Sequence, residues 1–170
     1  MKIVVGFSRP RNKLLPIFSW LIRLVEGTRY SHVYVRWHSR GADVNICYHA
    51  SGSQIHFLCN DVFQKCIKPV EEYELNVDVP QYKEILHYCM SNAGKRYGIS
   101  QVFGIAMARL FRLKKNPLSN GDSRQICSEL VSRLLNQVIE IGGPDLNLDL
   151  IGPKELNKIV QTTPGMVRTL

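Results

Sequence analysis

The sequence predicts an α+β protein in which a small antiparallel sheet is flanked by helices. Two patterns predict this fold class. Short segments of alternating polarity cluster in the first half of the chain, and apolar residues at three- and four-residue spacing recur around residues 13–26 and through the second half. With 170 residues, 45% of them hydrophobic, the chain is long enough for one core and too short for two, so residues 1–170 are predicted to form one domain.

The predicted sheet comes from the first eighty residues. Residues 2–7 are rich in β-branched side chains and end at the turn-like stretch "SRPRN", which indicates a first strand. Three alternating segments separated by "HSRGA" and "SG" predict an antiparallel meander, and they are "SHVYVRW", "DVNICYHA" and "SQIHFL". The segment "YELNVDV" predicts one further strand.

Six helices are predicted around these strands. The first is stopped by Gly27, the third carries Pro80 in its first turn, and the last begins at Pro153. Their predicted ranges are 13–26, 61–65, 80–92, 100–113, a helix that contains Cys127 and runs to 142, and a short helix in the tail.

Charge and cysteine content limit the class of protein. A net charge of +8 suggests contact with an anionic partner, although the 22 Lys and Arg residues are spread along the chain. The five cysteines are odd in number and irregularly spaced, which favours a reducing compartment over a disulfide framework.

The start "MKIVVGFSRP" lacks the features of a signal peptide, and no apolar segment reaches the ~20 residues of a membrane span. We therefore expect a soluble, cytoplasmic protein.

A cysteine lies at a helix entrance in "RQICSELVSRLL", residues 124–135. A helix N-terminus offers unpaired N–H donors and a positive dipole end, both of which stabilise a thiolate. The alternative is that Cys127 belongs to an apolar stripe with Val131 and Leu134 and only fills the core. The helix start decides between them: a capping box from Asp122 to Gln125 would bury the thiol, and a start near Gln125 would place it in the first turn.

Two histidines lie on predicted neighbouring strands. His32 opens a strand directly after the polar turn "GTRYS", and His49 lies near the end of the next strand. His49 is thus placed to orient the imidazole of His32, as the third group does in sets of nucleophile, base and orienting residue. The alternatives left open are a capping role for His32 and a solvent-facing strand position for His49.

Four stretches together resemble the circularly permuted papain-like hydrolases of the NlpC type, in particular the YiiX group. They span about residues 31–156 and read "YSHVYVRW", "YHASG", "ICSELVSRLL" and "DLIGPKEL". In that group a "SHV" histidine precedes a polar residue on the following strand, and the nucleophile comes last, in a "CSELV" helix. The resemblance implies one permuted NlpC-type domain with Cys127 as nucleophile, His32 as general base and His49 as the orienting third residue.

The third position departs from the group's pattern. The YiiX group often has Glu followed by Ala there, whereas this chain has His49 followed by Ala50. A histidine orients the base but brings no fixed negative charge, so the imidazolium of His32 is stabilised less. The related lecithin:retinol acyltransferase group uses histidine at a comparable place. The departure is therefore compatible with the implied mechanism, but it makes the substrate class less certain to assign from the resemblance.

The implied chemistry is hydrolysis or acyl transfer at an amide, ester or thioester. Cys127 attacks the carbonyl carbon, His32 holds the proton, and the backbone N–H of Cys127 stabilises the oxyanion. Peptide or cell-wall amides are one candidate substrate class and lipid acyl bonds the other. Tyr97 in "GKRYG" matches a glycine-tyrosine turn of the group, and a purely structural packing role for it stays open.

Two rival functions follow from other residues. Cys47, His49, Cys59 and Cys66 are soft ligands, but their spacing matches no common zinc site, so we expect neither a metal nor another cofactor. A non-enzymatic basic module is the second rival. The basic residues of its "FSRPRNK" and "ARLFRLKK" stretches are able to contact phosphate groups. The same residues, with Trp20 nearby, are also able to contact an anionic membrane. The absence of a known nucleic-acid motif disfavours nucleic acid, and a solvated basic face remains the simplest explanation of the charge.

The source and assembly stay open at this stage. Without a signal peptide, action on a cell wall would require another route of delivery, such as lysis or a phage particle. The lead-in "FSRP…FSWLIRLVEG" resembles small phage-encoded versions of the group, in which case the protein acts in the host cytoplasm or the virion. The sequence leaves the oligomeric state undetermined.

Overall fold

The sheet has eight strands in the part of the chain that the computed structural model describes, which is residues 1–11, 17–51, 54–118, 124–141 and 146–170. The strands are β1 (Lys2–Pro10), β2 (His32–Ser39), β3 (Val44–Ser51), β4 (Gln54–Cys59), β5 (Ile67–Asn76), β6 (Arg96–Tyr97), β7 (Arg124–Gln125) and β8 (Met166–Arg168). Their order is β7-β6-β4-β3-β2-β1-β5-β8, and every neighbouring pair is antiparallel except the parallel pair β6–β7.

The helices of the described residues flank this sheet, as the predicted fold class requires. They are α1 (Ile17–Glu26), α2 (Asn60–Cys66), α3 (Val79–Asn92), α4 (Ile99–Phe111), α5 (Cys127–Ile139) and α6 (Pro153–Thr162). The α+β class with an antiparallel sheet and flanking helices is confirmed. The predicted start of the first helix, at residue 13, lies outside the described residues.

The sheet is larger than the predicted meander. Strand β5 begins at Ile67 rather than at residue 73, and β6, β7 and β8 are too short to carry a pattern of alternation. The predicted strand "YELNVDV" also extends past Asn76, where β5 ends. Asp78 leaves the sheet and accepts the backbone N–H of Gln81, which caps α3 in a capping box.

The central strand β2 presents different residues to its two faces. Val33, Val35 and Trp37 share one buried cluster with Leu130 and Leu134 of α5. Tyr34, between them, belongs to a separate cluster on the other side of the sheet, with the members Cys47 and Phe63. Because successive side chains of a strand point to opposite faces, α5 covers one face of β2 and α2 covers the other.

Tyr34 depends on a glycine in the adjacent strand. Gly6 pairs with Tyr34 across β1 and β2, and the tyrosine ring lies where a side chain at position 6 would be. A Cβ atom placed on Gly6 would lie 2.1 Å from the Cζ atom of Tyr34. The ring, which is 1% exposed, has its hydroxyl bonded to Glu72. The glycine therefore gives the ring its place in the core.

Candidate active site

Cys127 is the first residue of α5. The residue before it, Ile126, has an extended backbone and occupies the N-cap position, and β7 occupies Arg124–Gln125. The helix therefore starts after Gln125, and the alternative in which the thiol lies one turn inside the helix is wrong. Asp122, the residue proposed as an early cap, lies outside the described residues. First-turn N–H groups have no intrahelical acceptor, so the thiol lies beside free donors.

Three hydrogen-bond donors lie beside the Cys127 sulfur. They are the backbone N–H groups of Val33 and Ser128 and the side chain of Tyr97, and the interaction with each lowers the thiol pKa. Burial acts in the opposite direction and is the larger effect, because only 2% of the residue is exposed. The pKa of Cys127 is raised to about 11 in consequence, so the resting site holds a neutral thiol.

Replacing Tyr97 with phenylalanine is expected to make Cys127 less reactive toward a small alkylating agent. The change removes a hydrogen bond that favours the thiolate, so alkylation at a fixed pH below 11 should slow roughly threefold to tenfold. Rates can be followed by peptide mass spectrometry. Tyr88→Phe is the matched control, because that hydroxyl bonds the Leu130 carbonyl of α5 instead of the thiol. Equal slowing in both variants would contradict a specific contact of Tyr97 with the sulfur.

The two predicted histidines are in contact. His32 Nε2 and His49 Nδ1 are 3.1 Å apart, and the rings meet edge to face with their centroids 5.2 Å apart. Burial lowers the pKa of His32 to about 4 and also lowers the pKa of His49, so both rings are neutral. One ring therefore donates an N–H to the other, and the buried Nε2 of His49 has no hydrogen-bond partner among the described residues.

The thiol and the histidine pair lie at the same end of β2 but contact different groups there. Both rings pack against Phe63 of α2, whereas the sulfur contacts the backbone of Val33, the residue after His32. Within the described ranges no hydrogen bond joins the sulfur to either ring. The structure thus brings His32 and His49 together and brings Cys127 to the neighbouring backbone, without closing the three residues into one chain of hydrogen bonds.

The stability of the fold is expected to fall as the pH is lowered from about 6.5 toward 4. The unfolded chain takes up protons on both His32 and His49 in this range and the folded chain does not, so acid favours unfolding, and His32 alone contributes up to about 3 kcal/mol. Urea denaturation across this range measures the effect. His32→Gln should flatten the dependence, and His87→Gln, an exposed residue of α3, should leave it unchanged. A dependence as steep in His32→Gln as in the wild type would contradict this origin.

An apolar cavity opens beside Cys127. It lies between α1, α4, the start of α5 and the Gly152–Pro153 segment, and its volume is about 20 Å³, which is room for about one water molecule. Its wall is almost entirely hydrophobic, and residues that line it are Ile22, Val25, Tyr97, Val102, Ile105, Ile126 and Cys127. A molecule larger than water enters only if the helices that form this wall move apart, and its apolar part would then lie among these side chains with its end at the thiol.

Glu26 is the charged member of the cavity wall and was not predicted. Its carboxylate lies 2.8 Å from Arg109 and also accepts the backbone N–H of Lys154 at 2.8 Å. Burial raises the pKa of this carboxyl despite both contacts. The sequence offered little signal for it, because "RLVEG" resembles any solvated helix end. Tyr97, by contrast, carried the signal of its glycine-tyrosine turn.

The other cysteines do not form the rival metal site. Cys47 is buried and its sulfur lies 3.6 Å from Asn60 Oδ1, while Cys59 and Cys66 are exposed. Across the described ranges there is no group of three or more His, Cys, Asp or Glu residues arranged to hold a metal ion. None of the described helices is both long and apolar enough to cross a bilayer.

Fold and site together define an α+β protein with an open antiparallel sheet and a cysteine at the start of a helix packed against it. Among solved structures, the chain is similar to the metalloprotein yiiX from Escherichia coli O157:H7. The TM-score is 0.61 at 16% sequence identity, over 99% of this chain and 94% of that one. The chain therefore has a YiiX-like fold.

Comparisons by sequence add no further relative. Neither a protein-family model nor a curated protein matches the chain. The solved neighbour is described as a metalloprotein. The described residues of this chain do not fit that property, because they contain no cluster of metal-ligating side chains.

Proposed function

We propose that the protein is a thiol hydrolase or acyltransferase that cleaves an amide, ester or thioester through a thioacyl intermediate on Cys127. The observation that carries the proposal is the position of this thiol, at the first residue of a helix and in the wall of an apolar cavity. A core-filling cysteine would need neither the cavity nor the donor groups of Val33, Ser128 and Tyr97 beside its sulfur. The permuted papain-like arrangement is part of the same proposal.

The first chemical step forms the bond between the Cys127 sulfur and the carbonyl carbon of the substrate. The thiol proton passes to a ring nitrogen of His32. Because burial lowers the pKa of this ring to about 4, the transfer requires the ring to leave its buried position, which restores its basicity. The backbone N–H of Cys127, free of an intrahelical acceptor, donates to the oxyanion. The leaving group departs with that proton, and water or another acceptor then cleaves the thioester and regenerates the thiol.

His49 acts in this scheme by orienting His32. Its ring contacts Nε2 of His32, so the other ring nitrogen of His32 remains for the thiol. His32 opens its strand on the face of the sheet that α2 covers, so rotation of the side chain alone does not carry the ring to the sulfur, and the proposal requires the start of β2 to rearrange when a substrate binds. Catalytic hydrogen bonds are commonly loose without substrate and tighten in the complex.

Trapping of the acyl-enzyme tests the proposal. The protein is mixed with p-nitrophenyl esters and acyl thioesters of short and medium chains and with a peptide amide, and intact-mass spectrometry follows adduct formation. The exposed Cys59 and Cys66 are replaced by serine so that they add no background. One acyl group on Cys127 is expected, and His32→Ala should slow its formation. Absence of an adduct on Cys127, together with absence of turnover for every substrate class, would refute the proposal.

A further inference from the structure

Helix α1 exposes large apolar side chains and buries two polar ones. Its apolar side chains Ile17, Trp20 and Leu24 are 78%, 58% and 61% exposed, whereas Ser19 and Glu26 are buried. The hydroxyl of Ser19 bonds that of Ser31, and the carboxylate of Glu26 pairs with Arg109. The helix therefore satisfies these two polar groups inside the protein and exposes three large apolar side chains in addition to the apolar residues that line the cavity, whereas an ordinary surface helix exposes mainly polar residues.

Helix α4 continues the exposed apolar surface. The two helices contact each other and line the same cavity. The exposed apolar side chains of α4 recur at helical spacing, and they are Ile99, Phe103, Met107, Leu110 and Phe111. We call these residues together with Ile17, Trp20 and Leu24 the apolar face. Large apolar side chains exposed on two helices that contact each other mark an interaction site on a protein surface.

Cationic residues adjoin the apolar face. Arg112, Lys114 and Lys115 follow α4 directly and are exposed, and they alternate with the exposed Leu113. The chain as a whole carries a net charge of +8. An apolar face with a cationic margin complements a surface that is apolar below and anionic at its rim, and an anionic phospholipid bilayer has this chemistry.

We propose that the apolar face docks on an anionic phospholipid bilayer. Helices α1 and α4 lie in the plane of the interface, with Trp20 and Leu110 inserted among the acyl chains and Arg112, Lys114 and Lys115 among the headgroups. The cavity beside Cys127 then opens next to the lipid, because both helices form its wall. Docking does not depend on the proposed thiol chemistry: Cys127→Ala should bind vesicles as the wild type does.

Cosedimentation with lipid vesicles tests the docking. Two vesicle preparations are compared, one of phosphatidylcholine alone and one that also contains phosphatidylglycerol. Stronger binding to the anionic vesicles is expected, with loss of affinity as salt is added. Tryptophan emission gives a second readout, because Trp20 is exposed and Trp37 is only 4% exposed. The emission should shift to the blue on binding, and Trp20→Phe should remove the shift.

Two sets of variants separate the apolar and the ionic contributions. Trp20→Ser combined with Leu110→Ser should abolish binding, and the control is Val79→Ser with Met90→Ser, which are 54% and 68% exposed on α3. Replacing Arg112, Lys114 and Lys115 by Gln should weaken binding to anionic vesicles roughly a hundredfold. Its control replaces the exposed Lys65, Lys68 and Lys83 by Gln.

Three outcomes would overturn the proposal. The first is no binding to either preparation. The second is equal loss of binding in the test variants and their controls. The third is a concentration-dependent dimer that Trp20→Ser with Leu110→Ser converts to a monomer while the wild type ignores vesicles, which would assign the apolar face to a second copy of the chain. Vesicle binding without any thioacyl adduct would retain the docking and refute the proposed enzyme alone.

Discussion

Turnover of an acyl substrate is expected to fall by on the order of 10⁴-fold when Cys127 is replaced by alanine. The sulfur is the only atom of this residue that forms the covalent intermediate, and its removal leaves only binding and the oxyanion donor to act. The measurement is kcat/KM for the substrate that acylates the enzyme most rapidly. Circular dichroism verifies that the variant is folded.

A second buried cysteine provides the control for this change. Cys89 of α3 is as inaccessible as Cys127, but its pKa is raised by burial alone. Cys89→Ala should therefore retain turnover close to that of the wild type while incurring a similar loss of packing. If both variants lost activity equally, the loss would reflect packing, and the role of Cys127 as nucleophile would be refuted.

Replacing Gly6 with alanine is expected to destabilise the fold by about 3 kcal/mol or more. The new methyl group would overlap the ring of Tyr34, which is fixed on both sides by Phe63 and by the bond of its hydroxyl to Glu72. The free energy of unfolding in urea measures the effect. Tyr34 lies two residues from His32 on β2, so a displaced ring would also disturb the histidine pair.

Gly41 provides the matched control for Gly6. A Cβ atom on Gly41 would meet no other atom within 4 Å, so Gly41→Ala should change the free energy of unfolding by less than about 0.5 kcal/mol. Adding Tyr34→Leu to Gly6→Ala should restore part of the loss, because the smaller side chain frees the space that the methyl group needs. A Gly6→Ala variant as stable as Gly41→Ala would contradict the described packing of Tyr34.

Much of the fold was predictable because its patterns are local. The alternation in β2, β3 and β4 and the helical spacing in α5 lie within single elements, where periodicity is informative. The contact between His32 and His49 also follows from local structure, because a tight hairpin fixes the register of its two strands. Strands of two or three residues, such as β6, carry no period and were missed.

The surroundings of the thiol were less predictable because they depend on the docking of distant elements. The cavity requires α1 and α4 to pack beside the start of α5, and the contact of Lys154 with Glu26 joins residues 128 positions apart. The sequence did indicate that the histidine rings and the Cys127 thiol lie on opposite sides of β2. Val33, Val35 and Trp37 are the apolar side of β2, so a helix that covers them lies opposite to the side chain of His32.

The parallel pair β6–β7 joins the two ends of the site. Tyr97 ends β6 and pairs with Gln125 of β7, and the Gly98 N–H donates to the Gln125 carbonyl at 3.1 Å. Two residues further on, the chain reaches Cys127. This short ladder therefore sets the distance between the Tyr97 hydroxyl and the Cys127 sulfur. A change in the length of the chain between Gly98 and Gln125 during evolution would therefore leave the distance from the Tyr97 hydroxyl to the Cys127 sulfur the same.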